Sequence, residues 1–306
     1  MLFERYQDNP ILTAADMPAC AVAALNPGAA TDGDQVVLLV RAEYATGYSD
    51  ILVARSDNGV DGWQVNSEPL LAHGLEDMRY EKWGCEDARV VWLEEDQTYY
   101  ITYTAVSPAG TAVGLARTDD FQSAYRVGLI FSPNNKDTAL FPEKIDGKYY
   151  AVHRPDAGDG IENIWIASSE DCKYWGQPHC VLEENCGPAW DGMAVGAGPP
   201  PIRTEYGWLL IYHGVKEYGN RPVYRAGAAL LDLNSPHKVV ARTPECILQP
   251  DYPYEFSGIM PNVVFPSGLL LRGDELWMYY GAADTSSCLA VGKLQDVLDR
   301  CEPADR

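Results

Sequence analysis

This chain is short of several things, and each shortage removes a class of protein. Across its 306 residues no run of about 18 apolar residues occurs, so no membrane-spanning helix is expected. Positive charge is scarce: 23 Lys and Arg stand against 44 Asp and Glu, a net charge of −21. That balance is repelled by nucleic-acid phosphates and anionic lipid, which argues against nucleic acid or a membrane as partner. It also makes any local gathering of Lys, Arg and His informative. The eight Cys include no C-x-x-C pair and fit no zinc-ligand spacing, so no metal is expected. The opening "MLFERYQDNPILT" carries charges where a secretory leader needs an apolar core. A cytoplasmic location with reduced thiols is the expectation.

Helical periodicity is nearly absent, and aromatic strand takes its place. A segment rich in aromatic and β-branched residues recurs five times: "VVLLVRAEY" (36–44), "YYITYTAVS" (99–107), "YYAVHRP" (149–155), "WLLIYHGV" (208–215) and "LWMYYGAAD" (276–284). The repeats start 50 to 68 residues apart. Each is followed by a strand with small residues, from "DILVARSDNG" (50–59) to "CLAVGKLQD" (288–296), and most are preceded by another, such as "ARVVWLEEDQ" (88–97). Five such units predict an all-β fold, a five-bladed β-propeller built as one domain over 1–306. A sandwich could hold the same strands, but five equivalent units favour radial closure. The turns "SDNGVDGW" (56–63) and "SEDCKYW" (169–175) supply Asp, Asn and Gly for turn geometry and read as structural.

Radial closure brings equivalent positions to one mouth, and here those positions are polar. The central strands end in Arg41, Tyr103, His153 with Arg154, His213 and Asp284; the first strands begin with Asn26, Glu86 with Asp87, Lys136 with Asp137, and Asn262. Singly, each has an ordinary reading. The His of "IYHGV" could be a hydrogen-bonded core residue, Arg154 could pair with Asp156, Asp284 could make a turn, and Glu86 or Asp87 could pair with Arg89. Their shared register is harder to explain by packing. In "KWGCEDARVVW" (82–92) a carboxyl beside Trp83, Gly84 and Cys85 would be partly desolvated, hold its proton and serve as a general acid. Cys85 itself reads as a small packed residue. One acid near Lys136, Arg154 and His213 is the minimum equipment of an inverting phosphorylase, since phosphate arrives as an anion and needs positioning rather than a base.

The ordered blocks "VLLVR", "GCEDARV", "NKDTALFP", "YAVHRP", "WLLIYHGV", "YRAGAALLDL", "MPNVVFPSG" and "YYGAADT" resemble glycoside hydrolase family 130, the β-mannoside phosphorylases and related β-mannosidases. The resemblance runs from about residue 25 to residue 285. It implies a five-bladed propeller and an inverting, exo-acting phosphorylase. Such an enzyme converts a terminal β-mannosyl residue and inorganic phosphate to α-mannose 1-phosphate, with phosphate as co-substrate and no other cofactor. Residue by residue, it implies Asp87 as general acid and Lys136, Arg154 and His213 as phosphate ligands. Asn26, Arg41 and Asp284 would hold the mannosyl unit, with Glu86, Tyr103, Glu255 and Asn262 as further sugar-binding candidates.

One departure stands out. In "WDGMAVGAGPPP" (190–201) Ala194 occupies a place where phosphorolytic relatives carry Lys or Arg. That removes a charge-assisted contact worth roughly 1.5–3 kcal/mol. A β-mannosidase of the same family, with Asp191 or Glu255 as base, is therefore the alternative; a non-catalytic carbohydrate-binding propeller is a third reading. Acceptor sugar and linkage stay open. Lys216 and Tyr218 lie on a loop that could contact the acceptor, and a homo-oligomer is compatible with the sequence.

Overall fold

The computed structural model describes residues 1–304 apart from 19, 157, 159–161, 186 and 220. Its regular structure is almost entirely strand. After an isolated β1 (Phe3–Arg5) come five successive antiparallel groups. The first contains β2 (Ala21–Asp32), β3 (Gln35–Tyr44), β4 (Ser49–Ser56) and the short β5 (Gln64–Val65). The second runs through β6 (Gly84–Leu93), β7 (Thr98–Ser107), β8 (Gly110–Thr118) and β9 (Tyr125–Phe131). A single parallel bridge, Ser49 to Gly84, joins these two into one sheet.

The third group is β10 (Asn135–Leu140), β11 (Tyr149–Pro155), β12 (Ile164–Ser169) and β13 (Trp175–Leu182). The fourth has β14 (Ala194–Ala197), β15 (Ile202–Arg203), β16 (Trp208–Glu217), β17 (Pro222–Leu231) and β18 (Val239–Arg242). After a one-turn helix α1 (Pro253–Phe256), the fifth has β19 (Val264–Arg272), β20 (Glu275–Ala282) and β21 (Ser286–Lys293). Helix α2 (Leu294–Arg300) and β22 (Glu302–Pro303) finish the chain, β22 adding to β18. The N-terminal β1 does not join the first group. It pairs antiparallel with β21, Phe3 opposite Gly292.

Burial explains the composition of the strands. Val36 to Val40 of β3 are all fully buried, because both faces of the strand are covered. That condition selects a continuous β-branched and aliphatic run rather than alternation. The outer β9 has one covered face at most and is largely exposed. Each group packs on the next. Val37, Leu39, Ile51 and Val53 meet Val90 and Ile101; Leu93, Tyr100 and Leu115 meet Leu140 and Tyr149. Val152 and Ile166 meet Val195 and Leu210, and Leu209, Ile211 and Ala228 meet Val264, Met278 and Tyr280. The fifth group returns to the first through Tyr279 and Leu289 against Val36, Leu38 and Val40.

One local device recurs in the first strand of three groups. In β2 the register steps from Leu25–Arg41 to Gly28–Leu39; in β6 from Glu86–Thr104 to Arg89–Thr102; in β10 from Lys136–Arg154 to Ala139–Val152. Each time three residues on one strand span two on its partner, which defines a β-bulge. The bulged residues Asn26, Asp87 and Asp137 have φ of 49°, 52° and 51°. Asn and Asp tolerate this left-handed conformation better than other residues with a side chain, through local hydrogen bonding. The bulges sit where first strands of neighbouring groups nearly touch. A Cβ on Gly28 would lie 2.3 Å from the Ala88 carbonyl oxygen, so only glycine fits there.

Candidate active site

The three bulges and the ends of the neighbouring strands enclose a cavity of about 220 Å³. Asn26, Arg41, Glu86, Asp87, Lys136, Arg154, His213 and Asp284 line it, joined by Thr104, Asp137, Tyr224 and Phe265. Eight of the eleven residues expected from the sequence therefore meet in one place. A larger cavity of about 500 Å³ lies toward the other end of the same strands, walled by Ala29, Val90, Trp92, Pro200 and Leu269. Its lining is mostly apolar, so the smaller cavity is the chemical one.

One wall is a cluster of carboxylates around a single guanidinium. Asp87 accepts from Asn26 Nδ2 at 2.8 Å and from Arg41 at 3.4 Å. Arg41 also reaches Glu86 at 3.0 Å and Glu43 at 2.8 Å. Ser49 Oγ donates to Glu86 at 3.1 Å. Desolvation by burial, which outweighs the opposing pull of Arg41 and is reinforced by the charge of Asp87, lifts the Glu86 carboxyl to about 7. Burial, again with Asp87 beside it, lifts Asp284 to about 6. Glu86 and Asp284 are therefore the carboxyls of this wall that hold a proton nearest to neutral pH.

The opposite wall is basic but not uniformly charged. Asp137, 2% exposed, lies 3.0 Å from Arg154 Nε, 3.6 Å from Arg89 and 3.7 Å from His213 Nε2. Burial works against its charge, but Arg154, His213, Arg89 and Lys136 together outweigh it and hold the carboxyl down at about 2. His213 is wholly buried, and desolvation pushes its imidazole down to about 3 against the pull of Asp137. The expected cationic trio is thus Lys136 and Arg154 with a neutral imidazole. Neither ring nitrogen of His213 has a hydrogen-bond partner among the described residues. Gly196 faces this ring so closely that a Cβ would stand 2.3 Å from it.

Three expected residues lie elsewhere. Tyr103 points away from the cavity, and its hydroxyl donates to buried Glu81, which also takes Arg126 and the Cys85 thiol. The reason is register: Thr104, not Tyr103, stands opposite the pre-bulge residue, as Arg41 and Arg154 do. A one-residue offset puts a side chain on the other face of the sheet. Glu255, the buried residue of α1, is completely buried, paired with Arg5 at 2.8 Å and accepting from Tyr280 and the backbone of Asp251 and Tyr252. Asn262 has a left-handed φ of 64° and gives its carbonyl to Tyr224, beside the cavity-lining Val263 rather than in the lining itself.

The ordinary pairings considered for single residues do not form. Arg154 binds Asp137 and Glu162, not Asp156, while Arg89 donates to the Asp87 carbonyl and to that of Gly198. Asp191 is fully buried and engaged by Tyr212 and Arg242, outside the cavity. Lys216 reaches the Gly187 carbonyl, and Tyr218 is half exposed. Asp137 and Arg89 are site residues that sequence reasoning missed. Their one signal was position: each lies in or just after a bulge that also carries a lining residue.

A pocket with a carboxyl cluster facing guanidinium, ammonium and imidazole, on an all-β scaffold, is equipped for acid catalysis on one side and anion binding on the other. The family model described as beta-1,4-mannooligosaccharide phosphorylase matches residues 5–303, and the chain belongs to glycoside hydrolase family 130. It is 44% identical over 260 residues to a beta-1,2-mannobiose phosphorylase of Listeria innocua, covering 85% of this chain and 70% of that one. It is 35% identical over 307 residues to a 1,2-beta-oligomannan phosphorylase of a Thermoanaerobacter species, covering 96% and 98%. The solved complex of the Listeria innocua beta-1,2-mannobiose phosphorylase with beta-1,2-mannobiose superposes with a TM-score of 0.90, at 35% identity and 98% and 99% coverage.

Proposed function

We propose that the protein is an inverting, exo-acting β-mannoside phosphorylase. The observation that carries this reading is the pairing of two unlike walls across one small cavity: carboxyls that retain a proton on one side, and Arg154, Lys136 and His213 on the other. A cavity of about 220 Å³ suits one sugar ring, which favours attack at a chain end. In the proposed step phosphate attacks the anomeric carbon from the basic wall as the glycosidic C–O bond breaks. Asp87 protonates the departing oxygen, directly or through a sugar hydroxyl. The carboxylate left behind accepts from Asn26 and Arg41, which stabilise the charge that proton transfer creates. Arg41, Asn26 and Asp284 hold the mannosyl unit, and Glu86 shares the cluster's proton. Product is α-mannose 1-phosphate and a shortened acceptor.

The same reading takes the five packed groups as blades of one propeller domain over 1–306, with β1 closing the ring on β21. Phosphate is the co-substrate and no cofactor is invoked. The relatives' names make β-1,2-linked mannosides the first substrates to try. No helix among the described residues is long and apolar enough to cross a membrane; a cytoplasmic site of action is part of the proposal. Purified protein is incubated with β-1,2- and β-1,4-mannobiose, with and without phosphate. Mannose 1-phosphate formed only with phosphate is the expected result. Free mannose at equal rates in both would make the enzyme a β-mannosidase, and no product from any mannoside would leave a binding propeller.

A further inference from the structure

We infer that Glu162 competes with phosphate for Arg154 and thereby sets how strongly the pocket takes the anion, an inference that rests on the phosphorylase reading. The guanidinium of Arg154 is shared between two carboxylates. Its Nε lies 3.0 Å from Asp137 and its Nη1 pairs with Glu162. An arginine grips an oxyanion best by presenting a whole edge as a two-pronged fork. Nε, though close to Asp137, makes no hydrogen bond among the described residues, whereas the terminal edge is held by Glu162, so Glu162 must yield before phosphate is gripped there.

The two carboxylates differ in how easily they can leave. The Asp137 side chain is 3% exposed and sits in a bulge among Arg154, Arg89 and His213. The Glu162 side chain is 30% exposed. Its main chain is fixed, since its carbonyl accepts from Val195 at 2.9 Å and it bridges in parallel to Ala194. The backbone can therefore stay while the carboxylate swings aside. Charge points the same way: Lys136, Arg154 and Arg89 face Asp137 and Glu162, and removing Glu162 raises the local sum from about +1 to about +2 by simple counting. Ala194 completes the picture. A basic side chain opposite Glu162 would occupy its carboxylate and free Arg154, whereas alanine offers it nothing.

The test measures KM for phosphate and KM for the mannoside in the wild type, E162Q and E162D, with calorimetric titration of inorganic phosphate alone. In E162Q the phosphate KM and Kd should fall about fivefold, the factor matching an ion pair of about 1 kcal/mol, while the mannoside KM holds. E162D, too short to reach Arg154 but still charged, should fall between. In an R154A background E162Q should change phosphate binding little, which a purely structural role would not predict. If the wild type makes mannose 1-phosphate and neither variant binds phosphate more tightly, Glu162 is no competitor. If the wild type releases only free mannose, the phosphorylase reading fails. Tighter phosphate binding by E162Q in the titration would still uphold the competition at Arg154, and equal or absent binding by both would overturn it.

Discussion

Asn26 and Asp87 occupy equivalent bulges of successive strand groups, and the amide of one donates to the carboxylate of the other at 2.8 Å. Both have left-handed backbones, so each side chain's direction is fixed by a main-chain irregularity rather than by packing alone. Removing the acid should lower kcat by about a thousandfold in Asp87→Asn, within the span expected for general acid catalysis. Asn26→Ala should lower kcat by about tenfold to a hundredfold through loss of aim. Steady-state kinetics with far-ultraviolet circular dichroism would check both. A folded Asp87→Asn enzyme keeping a tenth of wild-type activity would remove Asp87 from the acid's role.

Glu86 supplies a pH signature. Its carboxyl is held at about 7, so the cluster loses a proton as pH rises through neutrality. Ionised Glu86 adds a negative charge beside Asp87 and draws on Arg41, so kcat/KM should decline above about pH 7, and the step should vanish in Glu86→Gln. Stability moves in the matching sense. A carboxyl whose folded value exceeds its unfolded one binds more protons when folded, so the native state weakens between about pH 4.5 and 7 as pH rises. Glu86→Gln should therefore gain about 1–3 kcal/mol over wild type above pH 7 and almost nothing near pH 4. Urea titrations at pH 4 and 8 would read it. Equal gains at both would place the effect outside ionisation.

Glu255 makes the opposite prediction from the sugar-binding role suggested by its sequence block. It is the inward-facing residue of α1, fully buried with Arg5, Tyr280 and two backbone amides as partners. Glu255→Ala would strand the Arg5 guanidinium and cost about 3–5 kcal/mol. Thermal unfolding should show the loss, while KM for the mannoside in the folded fraction stays within about threefold. An unchanged melting temperature with a large rise in KM would return Glu255 to the substrate.

The strands were legible because burial on both faces leaves a continuous apolar run, and five such runs stand out in β3, β7, β11, β16 and β20. The convergence of Asn26, Arg41, Asp87, Lys136, Arg154, His213 and Asp284 followed from their register. The bulges did not announce themselves. They leave no mark in composition beyond an Asn or Asp, so the register that makes Thr104 rather than Tyr103 the equivalent of Arg41 is not visible in the sequence. Charge state was equally hidden: that His213 is neutral and that Asp137 sits among the cations follow from burial in three dimensions.

The clasp of β1 on β21 bears on how the molecule is made. Phe3 precedes its strand partner Gly292 by 289 residues of chain. Arg5, in the same strand, is also the counter-ion of Glu255. Pairing of β1 must therefore wait until β21 is present, and contacts this distant in sequence form slowly. A polypeptide without β21 would still hold its first four groups' strands and lack the stitch that joins β1 to the fifth.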